Sequence, residues 1–160
     1  MDLTARRSAP STVDTITFAQ LARNGTVRQS IHPADLAPKI SKHLMPLSKG
    51  MTNTPAALVE IYLRINYLNA NSDAKVYIEA INYGDKLLKR FLSETMPLIA
   101  EECQKVGKTL NKNKLKGEIR SLYDKTILPT SLQSYQNGET PFEEIAVRFT
   151  LSQLVFKSIE

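Results

Sequence analysis

The residues that could carry out nucleophilic catalysis are few in this chain. Such catalysis needs a cysteine or serine nucleophile, a histidine base and a group that orients the histidine. The chain has one cysteine, Cys103, and two histidines, His32 and His43. Cys103 directly follows Glu101 and Glu102, and neighbouring negative charge raises the pKa of a thiol, which disfavours the reactive thiolate. We therefore expect Cys103 to be an ordinary helix residue, no catalytic residues to be present, and the protein not to be an enzyme.

Patterns typical of metal and nucleotide sites are missing from the sequence. One cysteine and two histidines do not make a zinc pattern, and no two of the six glycines fall within a phosphate-binding loop motif. The glutamate pairs Glu101-Glu102 and Glu143-Glu144 each lie in the first turn of a predicted helix, where the helix dipole favours acids. Adjacent helix residues point about 100° apart, so neither pair is expected to share a site. We expect no metal and no cofactor.

The basic residues give the most specific indication of function in the sequence, because they are concentrated in two places. The chain has 160 residues, with 21 lysines and arginines against 16 aspartates and glutamates, which gives a formal net charge of +5. One concentration is a lysine run that contains no acid: Lys105, Lys108, Lys112, Lys114 and Lys116. The other is the pair Arg6-Arg7, within residues 1–13, which are rich in Ser, Thr, Ala and Pro. These residues include too few apolar side chains to offset the entropy cost of ordering them, so we expect a flexible arm.

The lysine run is suited to binding phosphate groups. Gly107 is expected to end the preceding helix, so the run forms a loop that leads into the basic start of the next helix. Lysines and exposed helix N–H groups both attract phosphate, and no aromatic residue lies between Phe91 and Tyr123 to stack on bases. We predict contacts to the nucleic-acid backbone by Lys105, Lys108, Lys112, Lys114, Lys116, Arg120, Arg6 and Arg7. A solvated, lysine-rich surface without a ligand accounts for the same residues equally well.

The N-terminal third of the chain is predicted to contain short helical pieces. A capping box at Thr17 to Gln20 and a helix end at Asn24-Gly25 predict a short helix between them. Pro38 and Pro46 are expected to divide the following stretch, and residues 46–53 are expected to form a loop.

Two longer helices are predicted in the middle of the chain. Thr54-Pro55 begins the first. Residues 56–68 fit the spacing of either a helix or a strand, and the start signal and the length favour a helix. The second begins at Ser72 or Asp73. Its predicted apolar stripe is Tyr77, Ile81, Gly84, Leu88 and Phe91. Glycine costs a helix about 1 kcal/mol relative to alanine, so Gly84 on this stripe suggests a close helix crossing.

The last third is predicted to hold two helices separated by a loop. The helix that contains the end of the lysine run is expected to stop before Pro129, and residues 129–140 are expected to form a polar loop with a turn at Asn137-Gly138. Thr140 begins a capping box with Pro141 as the first helical residue, which predicts a final helix. The apolar residues of that helix include Phe142, Ile145, Phe149 and Phe156.

These patterns together predict an all-α fold, with a flexible arm at 1–13 and a single compact domain of about six helical segments at 14–160. A single cysteine cannot form an internal disulfide. The longest apolar run is four residues, far short of the roughly 20 that a membrane helix needs, and no secretory signal is expected. We expect an intracellular protein, cytoplasmic or nuclear, in a reducing compartment and without a membrane partner.

Two functions from different classes remain open. The first is a non-enzymatic, helical nucleic-acid-binding or packaging protein that neutralises the phosphates of RNA or DNA. A small nucleocapsid or coat subunit, which forms homo-oligomers, has this general organisation. The second is a helical adaptor or regulatory protein that binds another protein, with its charge serving solubility.

Overall fold

The computed structural model describes residues 33–68 and 72–160. The predicted arm, with Arg6 and Arg7, and the predicted helix at 17–24 lie outside these residues. Within them, the one β-type pairing is an antiparallel bridge between Leu110 and Ile159, so the prediction of an all-α fold is confirmed. The seven α-helices of the described residues are α1 Pro33–Thr52, α2 Thr54–Leu68, α3 Ser72–Arg90, α4 Met96–Lys105, α5 Lys112–Leu122, α6 Leu128–Ser134 and α7 Glu144–Lys157. The predicted number of about six segments is not confirmed, whereas α2 settles residues 56–68 as helix rather than strand.

Helix α1 runs without interruption through both of its internal prolines. The expected division at Pro38 and Pro46, and the expected loop at 46–53, are therefore wrong. Both prolines are exposed, and each costs a helix about 3 kcal/mol. The opposite face buries five large apolar side chains: Leu36, Ile40, Leu44, Leu47 and Met51. Burial of each contributes about 1.5–3 kcal/mol, which outweighs the cost of the two prolines.

Two π-helical turns join shorter helices into long rods. Phe91–Thr95 connects α3 to α4, and Tyr123–Ile127 connects α5 to α6. In each turn the N–H of the next residue donates to the carbonyl of the aromatic residue five positions earlier, and a proline follows. A wider turn gives a proline ring more room beside the preceding carbonyls, so the helix continues past it. The predicted helix end before Pro129 is therefore wrong, and most of the predicted 129–140 loop is helical.

The two rods cross closely at Gly84, as the sequence suggested. A Cβ placed on Gly84 would overlap the ring of Tyr123, whose hydroxyl donates to the carbonyl of Ala80 at 2.8 Å. The buried face of α3 is formed by Val76, Ala80, Gly84 and Leu88. The predicted stripe is wrong at its start, since Tyr77 and Ile81 are exposed.

Helix α7 packs against α1 and buries Val147, Leu151 and Val155 along one face. The predicted capping box at Thr140 is wrong. Its hydroxyl donates to the carbonyl of Thr52 at 2.9 Å instead of accepting from a helix N–H, and the helix begins only at Glu144. The left-handed backbone of Gly138, with φ of +68°, confirms the predicted turn.

Candidate phosphate-binding groove

The structure distributes the lysine run over three successive elements. Lys105 is the last residue of α4, and Lys108 follows Gly107, whose positive φ of +74° allows the chain to leave the helix. Lys112, Lys114 and Lys116 are the first, third and fifth residues of α5. The N-cap residue Asn111 accepts a hydrogen bond from the N–H of Lys114 at 3.0 Å, which stabilises this helix end.

The residues on α5 do not all face the same way. With 3.6 residues per turn, Lys112, Lys116 and Arg120 lie at intervals of four and form one stripe. Lys114 lies about 200° around the helix axis from Lys112. The run is therefore divided into a stripe along one side of α5 and separate lysines elsewhere.

The stripe borders an open groove between α5 and the rod of α3. The groove has a volume of about 440 Å³. Its α5 wall is formed by Lys116 and Arg120, and the opposite wall is formed by Asp85, Leu88, Lys89, Leu92 and Ser93. Lys89 is a functional candidate that the sequence analysis missed. Lys89 and Lys116 lie far apart in the sequence, and the crossing of α3 and α5 brings the two walls of the groove together.

Arg120 is held in the groove by two carboxylates. Its guanidinium lies 2.7 Å from Oδ1 of Asp85 and 3.7 Å from Oδ1 of Asp124. Among the residues that the structure describes, no carboxylate lies within ion-pair distance of Lys89 or Lys116. The groove therefore presents three cations against the one carboxylate of its own wall.

Lys105 belongs to a different cluster. Its Nζ lies 3.6 Å from Oε1 of Glu102. The other carboxylate oxygen of Glu102, Oε2, lies 3.4 Å from Nε2 of His43. Partial burial raises the pKa of Glu102. The hydrogen bond with His43 and the charges of Lys105 and Lys39 outweigh this effect and leave that pKa below its ordinary value. Lys105 thus has a carboxylate partner, whereas Lys89 and Lys116 have none among the residues of 33–68 and 72–160.

The remaining chemical candidate, Cys103, lies outside the groove. Cys103 is buried, and its burial together with the charge of Glu102 raises the pKa of the thiol to about 11, which disfavours the thiolate. Within 33–68 and 72–160, no three His, Cys, Asp or Glu side chains are grouped so that they could hold a metal ion. In the same ranges, no helix is both long enough and apolar enough to cross a membrane.

The described residues form an all-α fold with an open basic groove between two crossing rods. No protein-family model matches the chain, and no curated protein or solved structure shows significant similarity to it.

Proposed function

We propose that the protein is a non-enzymatic, helical nucleic-acid-binding protein of the packaging class, and that it binds the phosphate backbone of RNA or DNA. The observation that carries this proposal is the convergence of Lys89 from α3 with Lys116 and Arg120 from α5 in one groove. Because the cations come from two separate helices, they can contact an anion from both walls of the groove. A solvated lysine run on one helix can contact an anion from one side only.

The electrostatics of the groove support binding of phosphate. Lys89 and Lys116 lack carboxylate partners among the described residues, so bound phosphate would not have to displace an ion pair. Asp85 orients the guanidinium of Arg120 through a contact of 2.7 Å. An arginine fixed in this way still has further N–H groups to donate to phosphate oxygens.

The composition of the walls favours recognition of the backbone rather than of bases. The apolar contribution comes from Leu88 and Leu92, and none of the described residues that line the groove is an aromatic residue that could stack on bases. Contacts to phosphate carry no sequence information. We therefore propose sequence-independent binding, to which Lys108, Lys112 and Lys114 outside the groove, and Arg6 and Arg7, add charge.

The proposal is tested by fluorescence anisotropy with a labelled single-stranded oligonucleotide at low salt. The double variant Lys89→Glu/Lys116→Glu is expected to lose more than about tenfold in affinity and to flatten the dependence of log K on log salt. The matched control Lys42→Glu/Lys75→Glu changes the net charge equally at exposed positions outside the groove. It is expected to lose about threefold or less, because screening weakens distant charges. Equal losses in the two variants, or no binding by the wild type at low salt, would contradict the proposal.

A second candidate is the adaptor function, in which the partner is another protein. The observation in its favour is the exposure of Ile145 and Phe149 on α7, at 69% and 64%. The two functions make opposite predictions for the oligonucleotide assay. If the protein is a helical adaptor, it should not show salt-dependent oligonucleotide binding that is lost in the variant Lys89→Glu/Lys116→Glu. Its association with a purified protein partner should survive nuclease treatment.

A further inference from the structure

The basic groove contains one group that binding of phosphate alone does not require, the carboxylate of Asp85. This side chain is exposed on the α3 wall of the groove, among the cations. A phosphate oxygen and an ionised carboxylate are both hydrogen-bond acceptors with negative charge, so they repel each other and cannot bond directly. Asp85 therefore opposes the binding of phosphate unless it also contacts a different part of the ligand.

The orientation of Arg120 uses only one of the two oxygens of Asp85. The guanidinium lies 2.7 Å from Oδ1, and in the described part of the chain this is the one ion pair that Asp85 makes. Arg120 also has a second carboxylate beside it, because Oδ1 of Asp124 lies 3.7 Å away. The remaining oxygen of Asp85, Oδ2, is therefore available to accept a hydrogen bond from a molecule bound in the groove.

Asp85 and Lys89 lie one helical turn apart on the same wall of the groove. Residues at positions i and i+4 of a helix have their Cβ atoms about 5–6 Å apart, so a cation and an acceptor are neighbours there. A nucleic-acid strand alternates phosphates, which bind cations, with sugars. Within a strand, the hydrogen-bond donor on the sugar is the 2′-hydroxyl, which RNA has and DNA lacks.

We propose that Asp85 makes the groove selective for RNA over DNA. Its Oδ2 accepts a hydrogen bond from a ribose 2′-hydroxyl, while the cations of the groove bind the flanking phosphates. Deoxyribose offers no donor, so DNA experiences the repulsion from the carboxylate without a compensating bond. The selectivity does not depend on base sequence, because every ribose within the strand carries the same hydroxyl. This inference rests on the proposed function and adds to it the class of nucleic acid.

Fluorescence anisotropy with the full chain and three labelled oligouridine strands of equal length tests the selectivity. The strands contain ribose, deoxyribose or 2′-O-methylribose, so their bases and phosphates are the same. The ribose strand is expected to bind about fivefold more tightly than each of the others, as one additional hydrogen bond would give. The 2′-O-methyl strand keeps the ribose but lacks the donor, which separates hydrogen bonding from sugar shape. The dependence of log K on log salt should be the same for all three strands, because a hydroxyl releases no counterions.

The variant Asp85→Asn tests the role of the carboxylate. The amide oxygen can keep the contact with Arg120, and the amide nitrogen, which is a donor, then takes the place of Oδ2. The ratio of RNA to DNA affinity is expected to fall to about one, and continued binding of DNA shows that the groove is intact. The matched control Asp124→Asn removes the other carboxylate beside Arg120, which does not line the groove. This control should keep the ratio of the wild type.

The outcomes separate this inference from the proposed function. Equal binding of the ribose and deoxyribose strands by the wild type would overturn the selectivity and leave the proposed function standing. A ratio that Asp85→Asn leaves unchanged would do the same, because Asp85 would then act only through the orientation of Arg120 or through its charge. If none of the three strands binds at low salt, the proposed function and this inference both fail.

Discussion

The ring of Tyr123 occupies the space in which a Cβ of residue 84 would lie. This contact sets the distance between the two rods, because burial fixes the Tyr123 side chain and its hydroxyl bonds to the carbonyl of Ala80. The next residue, Asp85, reaches Arg120 across the same crossing at 2.7 Å. The close approach at Gly84 therefore positions the two walls of the basic groove.

The variant Gly84→Ala is expected to destabilise the protein although alanine is the better helix former. The gain in helix propensity is about 1 kcal/mol, whereas displacing a buried tyrosine ring costs typically about 1–3 kcal/mol. The matched control is Gly117→Ala in α5, where a Cβ would meet nothing within 4 Å. That control is expected to stabilise by about 0.5–1 kcal/mol. Urea unfolding midpoints measure both, and a stabilised Gly84→Ala variant would contradict the tight crossing.

Removing the charge of Asp85 is expected to strengthen DNA binding. The variant Asp85→Asn deletes the one carboxylate in the wall of the groove and leaves its three cations. Affinity for a DNA oligonucleotide at low salt should rise about threefold, which corresponds to under 1 kcal/mol of screened Coulomb energy. The control Asp73→Asn removes an exposed carboxylate at the other end of α3, away from the groove, and should change little. Weaker DNA binding by Asp85→Asn would show that orienting Arg120 matters more than the local charge.

The pH dependence of stability should include a contribution from Glu144. The hydrogen bond that Ser48 donates at 2.6 Å, with the nearby Arg148, holds the pKa of Glu144 below its ordinary value of 4.5. A carboxylate with a lowered pKa stabilises the fold above its unfolded pKa, and this contribution is lost as the pH falls through the folded value. Wild-type stability should therefore decline below about pH 4.5.

The variant Ser48→Ala isolates that contribution. It is expected to be less stable than the wild type by about 1 kcal/mol at neutral pH, and the difference should shrink as Glu144 becomes protonated. The control Thr52→Ala removes a hydroxyl that bonds to a backbone carbonyl, so its effect should not vary with pH. Urea unfolding at pH 7, 5 and 3 makes the comparison. A Ser48→Ala effect that is equally large at all three values would exclude the role of the carboxylate.

Local signals in the sequence predicted the features that depend on a few neighbouring residues. The helix start at Thr54-Pro55 was predicted correctly, although the hydroxyl of Thr54 donates to the carbonyl of Gly50 at 3.3 Å and does not cap a helix N–H. The turns at Gly107 and Gly138 follow from backbone conformations that glycine adopts easily. Gly84 was informative because glycine is unfavourable in a helix unless a neighbour requires the space.

Features that depend on tertiary packing could not be predicted from the sequence. The helix passes Pro129 because a π turn precedes that proline and buried residues follow it. Tyr77 and Ile81 have helical spacing with Leu88, but Val76 and Ala80 also have it. The packing of α3 against α2, α1 and the α5–α6 rod selects which face is buried. Lys89 lies far from Lys116 in the sequence, so their shared groove appears only after the rods are assembled.

Replacing Pro46 by alanine is the most direct test of how α1 tolerates its prolines. The variant restores the missing N–H donor on the exposed face of the helix and removes the clash with the carbonyl of Lys42, which together cost about 3 kcal/mol. Part of this gain is offset, because alanine gives the unfolded chain more freedom by about 1 kcal/mol. Pro46→Ala is therefore expected to raise the unfolding free energy by about 1–2 kcal/mol, measured by urea denaturation. A lower unfolding free energy would mean that α1 is bent at Pro46 in a way that its packing on α7 requires, since straightening the helix would then displace Leu44 and Leu47 from the core.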